Sequence, residues 1–391
     1  MKKENPIITT LDIGTTHLRM LSAHVSHKEN DIKIVAHAEV PTEGIRRGYV
    51  YDSAEVTASL RNGLREIKKI AGFAPQQLYV GVGGASLVSH TVSASLVISK
   101  ADGEVTTYDI EKLEMMCEQE FLRQHRNRKV LHTVPIEYRL NQEIIHGKPI
   151  GLVGSKLEVK TLVVSILKQD VDDLLESISN ADIEILDIVA TPFAVAESAL
   201  GKKDKMSGCA LVHIGAETTS LVVYENGVPI SLEVFPLGSH DITNDIALGF
   251  LVSQQEAELI KHGTSSQSVP KKKLEDIVHA RLSDIFDLVD AHLKRIHKSG
   301  LLPGGVTLTG GGAHLEGIDD FAKTALRLPA RVGLPDKTFS AKLKTKDATW
   351  HGVYGLCMLS VFYEPEDTNE LFAFFKNTSS KFGSFFRQFL P

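Results

Sequence analysis

Residues Thr9–Leu21 read TTLDIGTTHLRML, and residues Cys209–Tyr224 read CALVHIGAETTSLVVY. Each is an apolar run, one polar residue, Ile-Gly, a threonine-containing turn and a second apolar run. The pattern predicts two strands joined by a tight turn, once at Gly14-Thr15-Thr16 and again after Gly215. Asp12 and His213 fall at equivalent points, as do Gly14 and Gly215. Self-similarity at this separation predicts an internal duplication, with each half opened by the same hairpin.

Working outward from the first hairpin, DIKIVAHAEV predicts a third strand that alternates at Ile32, Ile34 and Ala36. A helix is expected from Ser53, with Val56, Leu60, Leu64, Ile67 and Ala71 on one face. QLYVGVGG reads as a buried strand ending in glycines. From about 86 to 160 the pattern breaks into a small α+β module, with a helix around 110–123, then VLHTVPIEYRLN and the Gly/Pro-rich IHGKPIGLVGSKLEV. The main body is expected to resume with KTLVVSIL, a helix from Val171, the strand IEILDIV and the helix TPFAVAESAL.

The second half begins near Ser207. NGVPISLEVFPLG turns at Asn226-Gly227, a pair suited to a two-residue hairpin loop. Residues 240–300 read as helical: 242–250, 254–262 and a long helix over 271–298. That helix has an apolar face of Leu274, Ile277, Val278, Ile285, Leu288, Val289 and Ile296. His292 on this face is expected to be a hydrogen-bonded core residue. GVTLTGGGAHLEGIDDFAKTAL reads as strand, glycine turn and helix, and HGVYGLCMLSVF as an apolar helix.

Composition narrows the function classes. The 391 residues are 42% hydrophobic and 24% charged, as in soluble globular proteins, and carry a net charge of −6. That balance argues against nucleic acid as the main partner. The three cysteines, Cys117, Cys209 and Cys357, have no metal-ligand or redox spacing and read as reduced thiols. The opening MKKENPIITTLDIG does not read as a signal peptide. No stretch has the length and apolarity of a transmembrane helix. The histidines show no HExxH-type spacing, and PKKKLED reads as a solvated helix start.

Three turns carry the chemistry: Asp12 to Thr16, Gly215-Ala216-Glu217-Thr218-Thr219, and Gly310-Gly311-Gly312-Ala313. Glycine lets a backbone approach a phosphate, and the exposed N–H groups bind its oxygens. Threonine hydroxyls add donors. A carboxylate before the turn, here Asp12, can hold Mg²⁺ through water. Two hairpins related by duplication, with a third glycine turn, predict a nucleotide clamped between two lobes.

These residues resemble the actin-like ATPase superfamily. The two hairpins look like its phosphate loops, TGGGAHLEG like its adenosine loop, and Glu258 and Lys261 in AELIKHG like its ribose and adenine contacts. The inserted module, with HTVPIEYRLN and KPIGLVGSKLEV, narrows the resemblance to the FtsA family of bacterial cell-division proteins. IRRGYVYD, ATPFAVAESAL and LGSHDITNDIA fit the same family, in the right order over nearly the whole chain.

The resemblance implies an α/β, actin-like two-lobed fold of duplicated ribonuclease-H-like domains with an inserted small α+β subdomain. Subdomain 1A would span 1–85, 161–206 and 341–363, and the insert 1C would span 86–160. Subdomain 2A would span 207–239 and 301–340, and 2B 240–300. A linker at 364–376 and a membrane-targeting helix at 377–391 would follow. The implied cofactors are ATP and Mg²⁺. The implied partners are the FtsZ C-terminal peptide, a second copy in a filament, an anionic lipid membrane and other division proteins. The implied place is the cytoplasmic face of the membrane at the division site.

The chain end fits that implication. Seven of the 16 phenylalanines fall in the last 20 positions. On a helix, Phe382, Phe385, Phe386, Phe389 and Leu390 share one face, with Arg387 off it. The acidic YEPEDTNE would tether this helix to the body. The departures from the superfamily pattern are His213, where a second loop aspartate is usual, and Thr191, where relatives that hydrolyse ATP often carry Glu. Histidine lacks the negative charge that organises Mg²⁺ and water, so slow or absent hydrolysis is expected. A pairing of His213 with Glu217 is one role it could take. Rival readings are an actin-like adaptor of a pilus or secretion platform, and a kinase or chaperone-type ATPase on the same fold.

Overall fold

The computed structural model describes residues 6–26, 31–100, 102–334 and 347–361. Strands β1 (Ile7–Ile13), β2 (His17–Ser26) and β3 (Asp31–Pro41) form an antiparallel meander. A short hairpin follows, β4 (Ile45–Arg46) with β5 (Tyr49–Val50). Helix α1 (Ser53–Ala71) is capped by Asp52, whose side chain accepts from Ala54 N and Glu55 N. Strand β6 (Gln77–Val82) then adds in parallel to β1, and β11 (Glu184–Ala190) adds in parallel to β6.

The second lobe repeats this path. Strands β12 (Cys209–Ile214), β13 (Thr219–Glu225) and β14 (Val228–Phe235) form the meander, and β15 (Val306–Thr309) and β16 (Ala330–Val332) add in parallel. The sheet orders are β11-β6-β1-β2-β3 and β14-β13-β12-β15-β16, so the duplication extends to topology. The turn between β13 and β14 places Asn226 at φ 52° and Gly227 at φ 82°, the left-handed pair that a two-residue hairpin loop requires.

Both sheets bury both faces, which is why their strands read as near-continuous apolar runs. On β2, Leu18 and Met20 face the cluster beneath α1. Leu21, Ala23 and Val25 face α10 (His351–Val361), with Trp350 and Val353. In lobe two, Val212 and Ile214 meet the helical region: α6 (Ser239–Phe250), α7 (Gln254–Lys261) and α8 (Lys271–Arg295). Leu211 and Val222 face the other way and join the first lobe's cluster, reached through α4 (Thr191–Ala199). The chain crosses between lobes through α4 and α5 (Lys202–Ser207). Lys205 of α5 and Glu197 of α4 form a largely buried ion pair of 2.6 Å.

The inserted module is the sheet β7-β10-β8-β9. Its strands are β7 (Val88–Val97), β8 (Arg128–Leu140), β9 (Glu143–Ile145) and β10 (Lys156–Leu167), with α2 (Thr107–Gln124) against them. The module's sheet runs past the expected boundary at 160, because β10 continues unbroken to Leu167. KTLVVSIL is the second half of β10, which stays paired with β8 as far as Leu167↔Arg128. Leu162, Val164 and Ile166 nonetheless join the first lobe's core, so the stretch carries the apolar signature of the main body while belonging to the module's sheet. Helix α3 (Lys168–Ser179) then returns the chain to lobe one.

Two helical expectations also shift. Helix α8 ends at Arg295, and its buried face includes Leu282 and Phe286, while Leu288 is exposed. His292 is buried there, 2.7 Å from the Ser231 hydroxyl, as the sequence suggested. The Gly310–Gly312 turn enters a 3-10 turn (Gly311–His314) before α9 (Ile318–Leu326) begins. The phenylalanine-rich stretch, with Phe382, Phe385, Phe386, Arg387, Phe389 and Leu390, lies outside the described residues.

Candidate functional site

The two duplicated hairpins face one another across a cleft of about 980 Å³ between the lobes. Their loops are the same length and close in the same way. Gly14 N donates to His17 O at 3.1 Å, and Gly215 N donates to Thr218 O at 2.8 Å. Each loop therefore has two residues at its tip, Thr15-Thr16 and Ala216-Glu217. Among the described residues, the amides of these four positions have no hydrogen-bond acceptor, while all four residues line the cleft. Open amides on a glycine-supported turn suit an anion.

The N-terminus of α6 looks like a rival anion site, but its amides are engaged. Ser239 N donates to Gly215 O at 2.9 Å, and His240 N donates to Ala216 O at 2.7 Å. Gly238 permits this contact, since a Cβ there would lie 2.5 Å from Ala216 O. The helix braces the second hairpin and leaves the hairpin tip to face the cleft.

Asp12 closes the cleft floor on the first lobe. Thr191 Oγ1 donates to its Oδ1 at 3.3 Å. Gly81 and Gly352 crowd it: a Cβ at Gly352 would lie 2.6 Å from Oδ2. Burial pushes the Asp12 carboxyl above its usual range, partly offset by Arg19 and the Thr191 hydroxyl. A carboxylate raised in this way gains from a nearby divalent cation, so the position fits Mg²⁺.

The matching position in lobe two is His213. Its Nδ1 lies 3.1 Å from Thr309 Oγ1. Burial, with the charges of His351 and Arg19, pulls its imidazole down to about 4, so it is neutral at pH 7. The considered pairing with Glu217 is not formed. Glu217 Oε2 instead accepts from Arg47 N at 2.7 Å.

Glu258 and Lys261 line the same cleft. Burial would raise the Glu258 carboxyl, but hydrogen bonds from Lys261 and Thr243 outweigh it and pull the carboxyl down to about 2. Lys261 Nζ lies 2.8 Å from Glu258 Oε2 and 2.9 Å from Thr243 Oγ1. The ammonium is almost wholly buried, so it fixes Glu258 as a permanent acceptor facing the cleft. His262 Nε2, more exposed, shares the other carboxylate oxygen at 3.0 Å.

Of the sequence candidates, Gly310 and Gly311 reach the cleft, but Thr218, Thr219, Gly312 and Ala313 do not line it. Thr219 starts β13, and its buried hydroxyl donates to Leu237 O at 2.8 Å. Gly312 is set by packing, since a Cβ would lie 2.3 Å from Ile214 Cγ2, and Ala313 belongs to the core. Cleft residues that the sequence did not single out include Arg19, Arg46, Arg47, His240, His314 and Thr349. Arg46 and Arg47 lay in the quoted IRRGYVYD, where no spacing rule marks them.

A family model described as Cell division protein FtsA matches residues 210–349, and one described as SHS2 domain inserted in FTSA matches 84–165. The chain belongs to the FtsA family. A role in cell division goes with that membership. The inserted FtsA model coincides with the four-stranded module, and its end at 165 falls late in β10.

Cell division protein FtsA of Bacillus subtilis is 27% identical, covering 85% of this chain and 79% of that relative. The FtsA of Borreliella burgdorferi is 25% identical, covering 96% of this chain and 94% of that protein. Among solved structures, a PilM-PilN type IV pilus biogenesis complex superposes with a TM-score of 0.71 at 18% identity, over 92% of this chain and all of that one. MreB5 of Spiroplasma citri bound to ADP superposes with a TM-score of 0.50 at 14% identity, over 89% of this chain and 94% of that one. At these identities the structures establish the fold alone, which is actin-like.

Proposed function

We propose that this FtsA-family chain binds ATP with Mg²⁺ in the cleft and acts as a polymerising adaptor that ties FtsZ filaments to the membrane. The observation that carries the nucleotide reading is the pair of duplicated hairpins whose tips, with unbonded amides, line one cleft. Amides of Thr15, Thr16, Ala216 and Glu217 would hold the phosphates, with Gly14 and Gly215 allowing close approach. Glu258 would accept from the ribose, and Gly310 and Gly311 would border the adenosine. Mg²⁺, when bound, would neutralise the phosphates, with Asp12 holding it through water.

Hydrolysis is expected to be slow or absent. His213 brings no negative charge, and the Thr191 hydroxyl, tied to Asp12, is no general base. A steady-state assay showing rapid turnover would move the reading toward a kinase or chaperone-type ATPase.

Tethering is supported by family membership and by the pattern of SSKFGSFFRQFLP. Partial burial of five apolar residues contributes roughly 5 kcal/mol, a weak and reversible anchor that an array of tails on a polymer would multiply. The helical region over 240–300 is the proposed FtsZ-peptide site, and the inserted module the proposed contact with the next copy. Sedimentation with anionic liposomes tests the bridge, using the full chain and one truncated before Asn377, with and without FtsZ. Recruitment of FtsZ by the full chain alone is expected; equal recruitment by both chains would remove the tail's role.

A further inference from the structure

The hairpin β4–β5 has Arg46-Arg47-Gly48 at its tip, with Arg47 at φ 49° and Gly48 at φ 81°. The tip is clamped to the glycine turn that follows β6. Ala85 N donates to Arg47 O at 3.0 Å, and a Cβ on Gly48 would lie 2.2 Å from Gly84 Cα. Across the cleft, Arg47 N donates to Glu217 Oε2 at 2.7 Å. The tip thus touches both lobes beside the second hairpin.

The two guanidinium groups are left over. Arg46 and Arg47 are exposed and line the cleft. The cleft's other strong cations are engaged, Arg19 with Glu39 at 2.7 Å and Lys261 with Glu258. Neither the Arg46 nor the Arg47 side chain makes a hydrogen bond or ion pair with any described residue, and Glu217 is occupied by a backbone amide. Two adjacent cations on a backbone fixed at three points, opening into a cleft with unbonded amides, form a fork for an anion.

We propose that Arg46 and Arg47 determine preference for a nucleoside triphosphate over a diphosphate, by supplying counter-charge to the terminal phosphate. This rests on the reading that the cleft binds nucleotide. The carboxylate of Glu217, in the second hairpin itself, opposes an added phosphate charge, and the arginine pair offsets it.

The test is calorimetric titration of the full chain with ATP and with ADP, each with Mg²⁺, for wild type and Arg46→Gln/Arg47→Gln. The ratio of ADP to ATP dissociation constants is expected to fall by roughly 10- to 100-fold in the variant. Neither side chain is packed, and glutamine at 47 meets the same left-handed backbone as arginine, so an unchanged unfolding midpoint without nucleotide serves as the fold check. A ratio unchanged while both nucleotides still bind overturns the arginine assignment and leaves the nucleotide site standing. Failure of wild type to bind either nucleotide overturns both.

Discussion

The two hairpins that open the lobes share a backbone and differ in chemistry. Gly14 and Gly215 close equivalent two-residue loops, and the tip of each lines the cleft with two amides that have no acceptor among the described residues. Yet the first hairpin is preceded by a carboxylate beside Arg19, and the second by a neutral imidazole bonded to a threonine. Backbone geometry depends on glycine and strand pairing, and it survives duplication. Side-chain chemistry at the strand end is set by the residue there and the one opposite it on the equivalent parallel strand. His213 pairs in register with Thr309, where Asp12 pairs with Gly81. That difference leaves the second lobe without a carboxylate at this point and keeps the two glycine-closed loops alike.

The two lobes are joined at a crossing that holds the Lys205–Glu197 ion pair, and the largest expected effect lies there. Lys205→Met leaves Glu197 buried without its partner at the crossing between lobes. We expect a loss of about 3–5 kcal/mol, read from urea unfolding, because an uncompensated buried charge remains. A loss below about 1 kcal/mol would mean that the crossing contributes little to joining the halves.

The chemical asymmetry comes next. Asp12→Asn should weaken Mg²⁺-ATP binding by roughly 10- to 100-fold, as the loss of a charged contact implies, while His213→Gln should change it far less. Equal effects on affinity would show that the hairpins remain functionally equivalent despite their different side chains.

A third measurement uses pH. Burial holds His213 at about 4 in the folded state, against about 6.5 in an unfolded chain. The unfolded state therefore takes the proton first, and the contribution, full above pH 6.5, is lost as pH falls toward 4. Asp187 and Glu118, pushed up to about 7 by burial, act in the opposite sense and add stability as pH falls through 7. The readout is the difference between proteins. Wild type should lose roughly 1.5 kcal/mol more than His213→Gln between pH 6.5 and 5. Parallel curves would mean that His213 is protonated without penalty.

The smallest effect tests the shared backbone. A Cβ at Gly14 would lie 3.0 Å from His17 O, and one at Gly215 would lie 3.1 Å from Thr218 O. Gly14→Ala and Gly215→Ala should each cost about 1 kcal/mol and match closely. Unequal thermal shifts would show that the bracing of the second hairpin by α6 matters more than the loop itself.

Much of this was legible along the chain. The alternation in TTLDIGTTHLRML and CALVHIGAETTSLVVY, the Asn226-Gly227 turn and the apolar face of α1 each depend on residues a few positions apart. Their strands, loops and duplicated order follow from that local physics. Glu258 and Lys261 were legible only through resemblance, and the IRRG arginines carried no local signal.

Tertiary structure decided the rest. KTLVVSIL is apolar throughout, and only strand pairing assigns it to the module's sheet. The threonines and glycines of the three turns look alike in sequence, yet packing sends Thr219, Gly312 and Ala313 into the core and leaves Thr15, Thr16 and Gly310 on the cleft. The contact between Arg47 and Glu217 joins positions 170 residues apart. The sequence alone determined which hairpins form, because a strand and its turn are set by near neighbours. Which groups meet across the cleft was decided only by the packing of the two sheets against one another, since burial and charge pairing there depend on partners remote along the chain.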